Sequence, residues 1–186
     1  DYSFATNQEM RDLIEGDRPA ASGSTFWLRP GSFLGTYLNG GGLLTDGITI
    51  RSHDNSNRAE IKELGLENWG AGITCTLYQV NFQGVAGTTG VDRAYDRMIH
   101  CITTLSGGVD DGNLVIDDCE IVGPFPDPAS NPDYDNLGLG VNLRAIGGPG
   151  NSSWANLTIR DSVIRNCGVV CSIVGTQSVT IEDTEI

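Results

Sequence analysis

The sequence predicts an all-β fold, a right-handed parallel β-helix of about seven coils with a short capping helix at its N-terminal end. Three observations lead there. A phrase, Ile116-Asp117-Asp118-Cys119-Glu120-Ile121, returns as Ile159-Arg160-Asp161-Ser162-Val163-Ile164 and as Ile181-Glu182-Asp183-Thr184-Glu185-Ile186. Looser copies lie upstream at Ile61-Lys62-Glu63-Leu64-Gly65-Leu66 and Leu77-Tyr78-Gln79-Val80-Asn81-Phe82, and in all five the first and sixth positions are large and apolar. The interval from Ile159 to Ile181 is 22 residues, a length at which each repeat is one coil that cannot bury its apolar face alone. Finally, 25 glycines and the near absence of long helical periodicity point to turns and short strands. The right hand follows from the crossover preference of parallel strands.

Taken in order, Asn7 to Ile14 carries Met10, Leu13 and Ile14 at helical spacing, with Thr6 or Asn7 as N-cap and Gly16 as stop. So short a helix must dock on an apolar surface. Thr25 to Leu28 reads as a strand ended by the Pro30-Gly31 turn, and a second strand is expected around Phe33 to Leu38. Residues 1–42 are thus an N-terminal cap of helix plus first strands, and residues 43–186 are the coils. Leu43 to Ser52 is the first rung, with Ile48 and Ile50 on one side, and His53 to Asn57 is a polar loop. Further rungs are Ile61 to Trp69, Ile73 to Gly84, Met98 to Leu105 and Leu114 to Val122. Leu139, Val141 and Leu143 alternate as a strand, and Leu157 to Ile164 and Val179 to Ile186 complete the series.

A helix followed by Phe26-Trp27-Leu28-Arg29-Pro30-Gly31-Ser32-Phe33 resembles the N-terminal cap of right-handed parallel β-helix proteins, the pectate-lyase-like enzymes and phage tailspikes. The resemblance implies an amphipathic helix over the open end of the first coil, which would otherwise expose strand edges and an apolar layer. It further implies a polysaccharide partner and an extracellular, cell-surface or virion location. A homotrimer would match a tailspike.

Composition narrows the partners. A net charge of −13 leaves no basic face for nucleic acid. Ten of the eleven basic residues are Arg, Lys62 being the exception, and an acidic, lysine-poor surface suits salt-rich surroundings. No apolar run approaches the roughly 18 residues that insert into a membrane. The chain starts at Asp1, and the expectation is that a leader or larger N-terminal part has been removed. It stops inside a rung at Ile186, so either a longer β-helix continues there or another chain makes an end-to-end contact with the last coil. The cysteines Cys75, Cys101, Cys119, Cys167 and Cys171 read as small buried hydrophobes, with Cys167–Cys171 or Cys101–Cys119 disulfides as the alternative in an exported protein.

Chemistry has several candidate places. The third-position column, Glu63, Gln79, Asp118, Asp161 and Asp183, offers catalytic carboxylates; the preferred reading is a corner ladder, because Asp tolerates left-handed backbone where each coil must bend. Stacked carboxylates would repel, so some should accept backbone N–H bonds or shed charge. Asp118 with Asp161, and Asp117 with Glu182, are the glycosidase-like pairs. A lyase-like mechanism, implied by the resemblance, would use Lys or Arg as base, and Arg144 and Arg160 on neighbouring rungs could face outward together, with a surface salt bridge as the commoner alternative. Two segments stand out as loops: Val85 to Arg97, and Gly123 to Asn136 with Phe125, Asp127, Asp133, Tyr134 and Asp135. In the second, Phe125 and Tyr134 would stack on sugar faces while Asp127 and Asp135 bond hydroxyls. Asp133 and Asp135 imitate the opening of a calcium loop, but Leu137 and Arg144 break the EF-hand pattern, leaving at most a looser Ca²⁺ cage. The function expected is a polysaccharide-interacting module, a lyase or glycoside hydrolase if catalytic. The alternatives are a non-catalytic structural or adhesive module, or an N-terminal piece of a larger β-helix protein.

Overall fold

A computed structural model describes residues 1–6, 8–9, 23–33, 36–39, 47–62, 64–67, 73–83, 97–104, 112–122, 139–146, 156–165, 169–174 and 178–186, with backbone alone at 36–39, 65–67, 97–104, 139–146 and 169–174. The chain opens with β1 (Tyr2–Phe4). Its next pass contributes β2 (Ser24–Leu28), β3 (Ser32–Phe33) and β4 (Thr36–Asn39). The pattern then repeats: β5 (Ile48–Ser52), β6 (Glu60–Ile61) and β7 (Leu64–Glu67), followed by β8 (Thr74–Tyr78), β9 (Asn81–Gln83) and β10 (Arg97–Thr104). The fifth pass holds β11 (Asn113–Asp117), β12 (Glu120–Val122) and β13 (Leu139–Ile146). β14 (Asn156–Arg160), β15 (Val163–Arg165) and β16 (Val169–Val174) follow, and β17 (Ser178–Glu182) comes last.

Every pass places its first strand in a 7-stranded sheet, its second in one 5-stranded sheet and its third in another, so neighbours in each sheet come from successive passes. All described strand pairs are parallel. The all-β class and the parallel strands match the expectation. β2 pairs with β5 and β4 with β7, so the strands assigned to residues 1–42 continue without a break into those that follow.

Register explains the sequence pattern. One file in the first sheet runs Tyr2, Phe26, Ile50, Leu77, Ile116, Ile159, Ile181. A parallel file in the second sheet runs Phe33, Ile61, Phe82, Ile121, Ile164. Between Phe26 and Ile159 the first file is fully buried, as is the second apart from Ile164 at 1% exposure. Each such side chain contributes roughly 1.5–3 kcal/mol relative to exposure. The register also corrects the repeat. Ile61 stacks on Phe82, not on Leu77, so Ile61 to Leu66 is not a copy of the phrase in phase. The copy in that pass starts at Ile50 and ends at Ile61, with the loop 53–58 inserted between. An inserted loop leaves the two strands in place while hiding their spacing, which is why the phase was misread.

The corners between first and second sheets are made by the third position. Gln79, Asp118, Asp161 and Asp183 all have positive φ, at 56°, 47°, 49° and 44°, the left-handed region that Asp visits at lower cost than most side chains. The fourth position then closes the bend by donating to the carbonyl of the second: Cys119 Sγ to Asp117, Ser162 Oγ to Arg160 and Thr184 Oγ1 to Glu182. Glu63 lies outside the described residues.

Two expectations about the ends and the thiols are placed as follows. Thr6 and Glu9 exchange hydrogen bonds, Thr6 N–H to Glu9 Oε2 at 3.2 Å and Glu9 N–H to Thr6 Oγ1 at 3.3 Å, a reciprocal N-terminal cap. The remainder of the helix expected over Asn7 to Ile14, apart from Gln8, lies outside the described residues. Cys75 and Cys119 are free and buried, so the Cys101–Cys119 disulfide does not form: Cys119 instead fills the turn between first and second sheets. Cys167 and the Cys171 side chain lie outside the described residues.

Two substitutions test this packing. Phe82→Ala, at a fully buried site, should lower stability by about 3–5 kcal/mol in urea denaturation. Gly47→Ala should also be strongly destabilising, by more than about 2 kcal/mol: at φ +86° an added Cβ would meet the Thr74 carbonyl oxygen of the next pass at 2.0 Å.

Candidate functional site

Outward positions of the first sheet stack as faithfully as inward ones. The second-position file runs Ser3, Trp27, Arg51, Tyr78, Asp117, Arg160, Glu182. At its C-terminal half, Arg160 grips Asp117 Oδ2 through Nε at 3.0 Å and Nη2 at 2.6 Å. That hydrogen bond and the Asp117 charge raise the Arg160 pKa above its ordinary value, so the guanidinium stays a cation and is a poor base. At its N-terminal half, the Arg51 guanidinium lies 4.3 Å from the Trp27 ring centroid and 4.7 Å from that of Tyr78. His53 stands edge-on to Trp27 at 6.0 Å.

Beside this file runs a network that crosses three passes. Arg51 Nη2 donates to Gln79 Oε1 at 3.2 Å, and Gln79 Nε2 donates to Asp118 Oδ2 at 2.9 Å. Arg58 reaches over from the loop after β5, donating to the Asp118 carbonyl at 2.6 Å and to Asp118 Oδ1 at 2.8 Å. Partial burial raises the Asp118 pKa, but the hydrogen bonds from Gln79 and Arg58 and the Arg58 charge outweigh it and hold the carboxyl below its usual range. Asp118 is therefore an anchored anion rather than a proton donor. The repulsion expected along the acid column is relieved here by side chains, a neutral Gln79 on one side and a cation on the other.

Of the other sequence-predicted catalytic residues, Asp161 sits exposed at the next corner, and its backbone N–H bonds the Glu182 carbonyl at 3.3 Å. Asp117 and Glu182 lie on either side of Arg160 in the outward file. Arg144 does not join Arg160: it lies in β13 of a 5-stranded sheet, paired with Ile102 and Val174, whereas Arg160 is in the 7-stranded sheet. Strands of one pass turn a corner between sheets, so nearness in sequence does not put two residues on one face. The buried thiols are inert: burial pushes the Cys119 pKa up to about 12 and raises that of Cys75 further. Trp27, Arg51, Arg58 and Tyr78 were not singled out from sequence, although three of them occupy the second position of the repeat once its phase is corrected.

Phe125, Asp127, Asp133, Tyr134 and Asp135 lie outside the described residues, but their anchor points are placed. Gln83 pairs with Val122 where segments 84–96 and 123–138 leave the second sheet, and Arg97 pairs with Leu139 where they enter the third. The two segments singled out as loops thus start and finish side by side, about 4.8 Å apart at each end. Among the described residues no three His, Cys, Asp or Glu side chains converge to hold a metal ion, and no helix is long and apolar enough to cross a membrane. Compared with family models, curated proteins and solved structures, the chain has no significant match.

The Asp118 anchor has a pH signature. A carboxyl depressed in the folded state contributes stability in full above its unfolded pKa of about 3.9, and that contribution disappears as pH falls through the folded value. Urea midpoints measured from about pH 6 down to pH 2.5 should therefore decline on the acid side, and Asp118→Asn should flatten that decline.

Proposed function

We propose that this chain is a right-handed parallel β-helix, similar to phage tailspikes and pectate-lyase-like enzymes, and that it serves as an extracellular or virion-associated module engaging polysaccharide. The three parallel sheets, each gaining one strand per pass, support the solenoid reading. In it a helix over Asn7 to Ile14 would cover the first apolar layer, and three copies would associate side by side as in a tailspike.

The observation that carries the functional reading is the shared anchoring of segments 84–96 and 123–138 at Gln83/Val122 and Arg97/Leu139. A sugar polymer is long and repetitive, and a binding surface for it must combine contacts from several passes. Adjacent loops on one corner of a rigid wall do this. In the proposed site Phe125 and Tyr134 stack on sugar rings, Asp127 and Asp135 accept hydrogen bonds from hydroxyls, and Asp133 with Asp135 holds Ca²⁺ when an acidic glycan is bound.

A glycan array spanning neutral and acidic polysaccharides tests the proposal, followed by reducing-end and unsaturated-product assays on the hits. The expected result is selective binding to one polysaccharide class, with Tyr134→Ala and Phe125→Ala each weakening it about tenfold, or 1.4 kcal/mol, at unchanged thermal stability. Absence of binding across the array by the folded protein would overturn it.

A further inference from the structure

The Arg51 cluster is built differently from the settings of Arg160 and Arg58. Arg160 has Asp117 and Arg58 has Asp118, both within 2.8 Å. Among the described residues Arg51 makes no ion pair and one hydrogen bond, from Nη2 to Gln79; its register neighbours are Trp27 and Tyr78. Its Nε is buried without a partner. Among the described residues, the acids of the adjoining loop and corner, Asp54 and Asp118, are already engaged. Asp118 uses one oxygen for Arg58 and the other for Gln79, and Asp54 Oδ1 accepts from the Ser56 N–H and hydroxyl. Among the described residues this guanidinium therefore has no counter-charge, in a protein of net charge −13.

A guanidinium set between two aromatic rings loses water from its faces, and with Nε buried and one Nη2 hydrogen given to Gln79 it keeps its remaining Nη hydrogens for a partner. Its position is fixed before any ligand arrives, which lowers the ordering cost of recognition. Carboxylates and tetrahedral oxyanions such as sulfate match those donors through paired hydrogen bonds. We propose that Trp27, Arg51 and Tyr78 form an oxyanion-recognition site on the outer face of the first sheet, accepting a carboxylate or sulfate group. Gln79 fixes the guanidinium from one side, and the exposed His53 beside Trp27 adds a second donor at the rim. The site is on the first sheet, whereas segments 84–96 and 123–138 are anchored on the second and third, and it does not depend on their engaging a glycan.

The test follows the arginine Nε–H resonances of the intact chain by NMR during titration with sodium sulfate, glucuronate or glucose, with the Arg51 signal assigned through Arg51→Lys. The Arg51 resonance should shift saturably with sulfate, with glucuronate or with both, while that of Arg160 stays in place. Saturation by sulfate at least as tight as by glucuronate assigns a site for the free oxyanion; tighter glucuronate binding assigns a sugar carboxylate. Arg51→Gln should weaken binding about tenfold or more, and Trp27→Leu several-fold. An Arg51 signal unmoved by both anions, an equal response to glucose, or undiminished affinity in Arg51→Gln would each overturn the proposal.

Discussion

Parallel strands stacked in register allow a single phase. Because the side-chain period in a strand is two, each pass must present its apolar residues at the same register as the pass before, or its whole inward set turns outward. Tyr2, Phe26, Ile50, Leu77, Ile116, Ile159 and Ile181 satisfy that condition along one file. A slip of one residue would drive Arg51, Asp117 and Arg160 into the interior, where an unpaired charge is far more costly than any gain in pairing. The inward file therefore also dictates which residues face solvent, and so what chemistry the outer wall can display.

The corner is the second constraint, and it follows from the first. To keep phase across a tight bend, the backbone must reverse within a residue, and the left-handed conformations of Gln79, Asp118, Asp161 and Asp183 accomplish this. At Asp118, Asp161 and Asp183 the cost of that conformation is offset by the following residue, whose thiol or hydroxyl satisfies the carbonyl just before the bend. Stacking acids at every corner would accumulate repulsion. The molecule interrupts the column with Gln79 and anchors Asp118 with Arg58.

This internal pairing shapes the functional reading. Asp117 and Arg160, which look reactive as a list of residues, are bound to each other across adjacent passes, and Asp118 is bound to Gln79 and to Arg58 two passes away. What is left over is of a different kind: segments anchored side by side at the corner between second and third sheets, and one guanidinium between two rings. Where Arg160 and Arg58 meet carboxylates, Arg51 meets two aromatic rings, and that makes its setting chemically distinct.

Strand class, the inward alternation and the left-handed corners were legible in the sequence, because each depends on a residue and its immediate neighbours: Ile-Asp-Asp-Cys specifies an inward side chain, an outward one, a bend and its closure wherever it occurs. Phase across long loops was not legible, so Ile61 was aligned with the wrong column and Arg144 placed on the wrong face. Nor could local pattern join Arg58 to Asp118, sixty residues apart, or seat Arg51 between Trp27 and Tyr78. Such contacts arise only when passes stack about 4.8 Å apart, since which side chains meet across that gap depends on how much chain each corner absorbs, a quantity the repeat phrase does not encode.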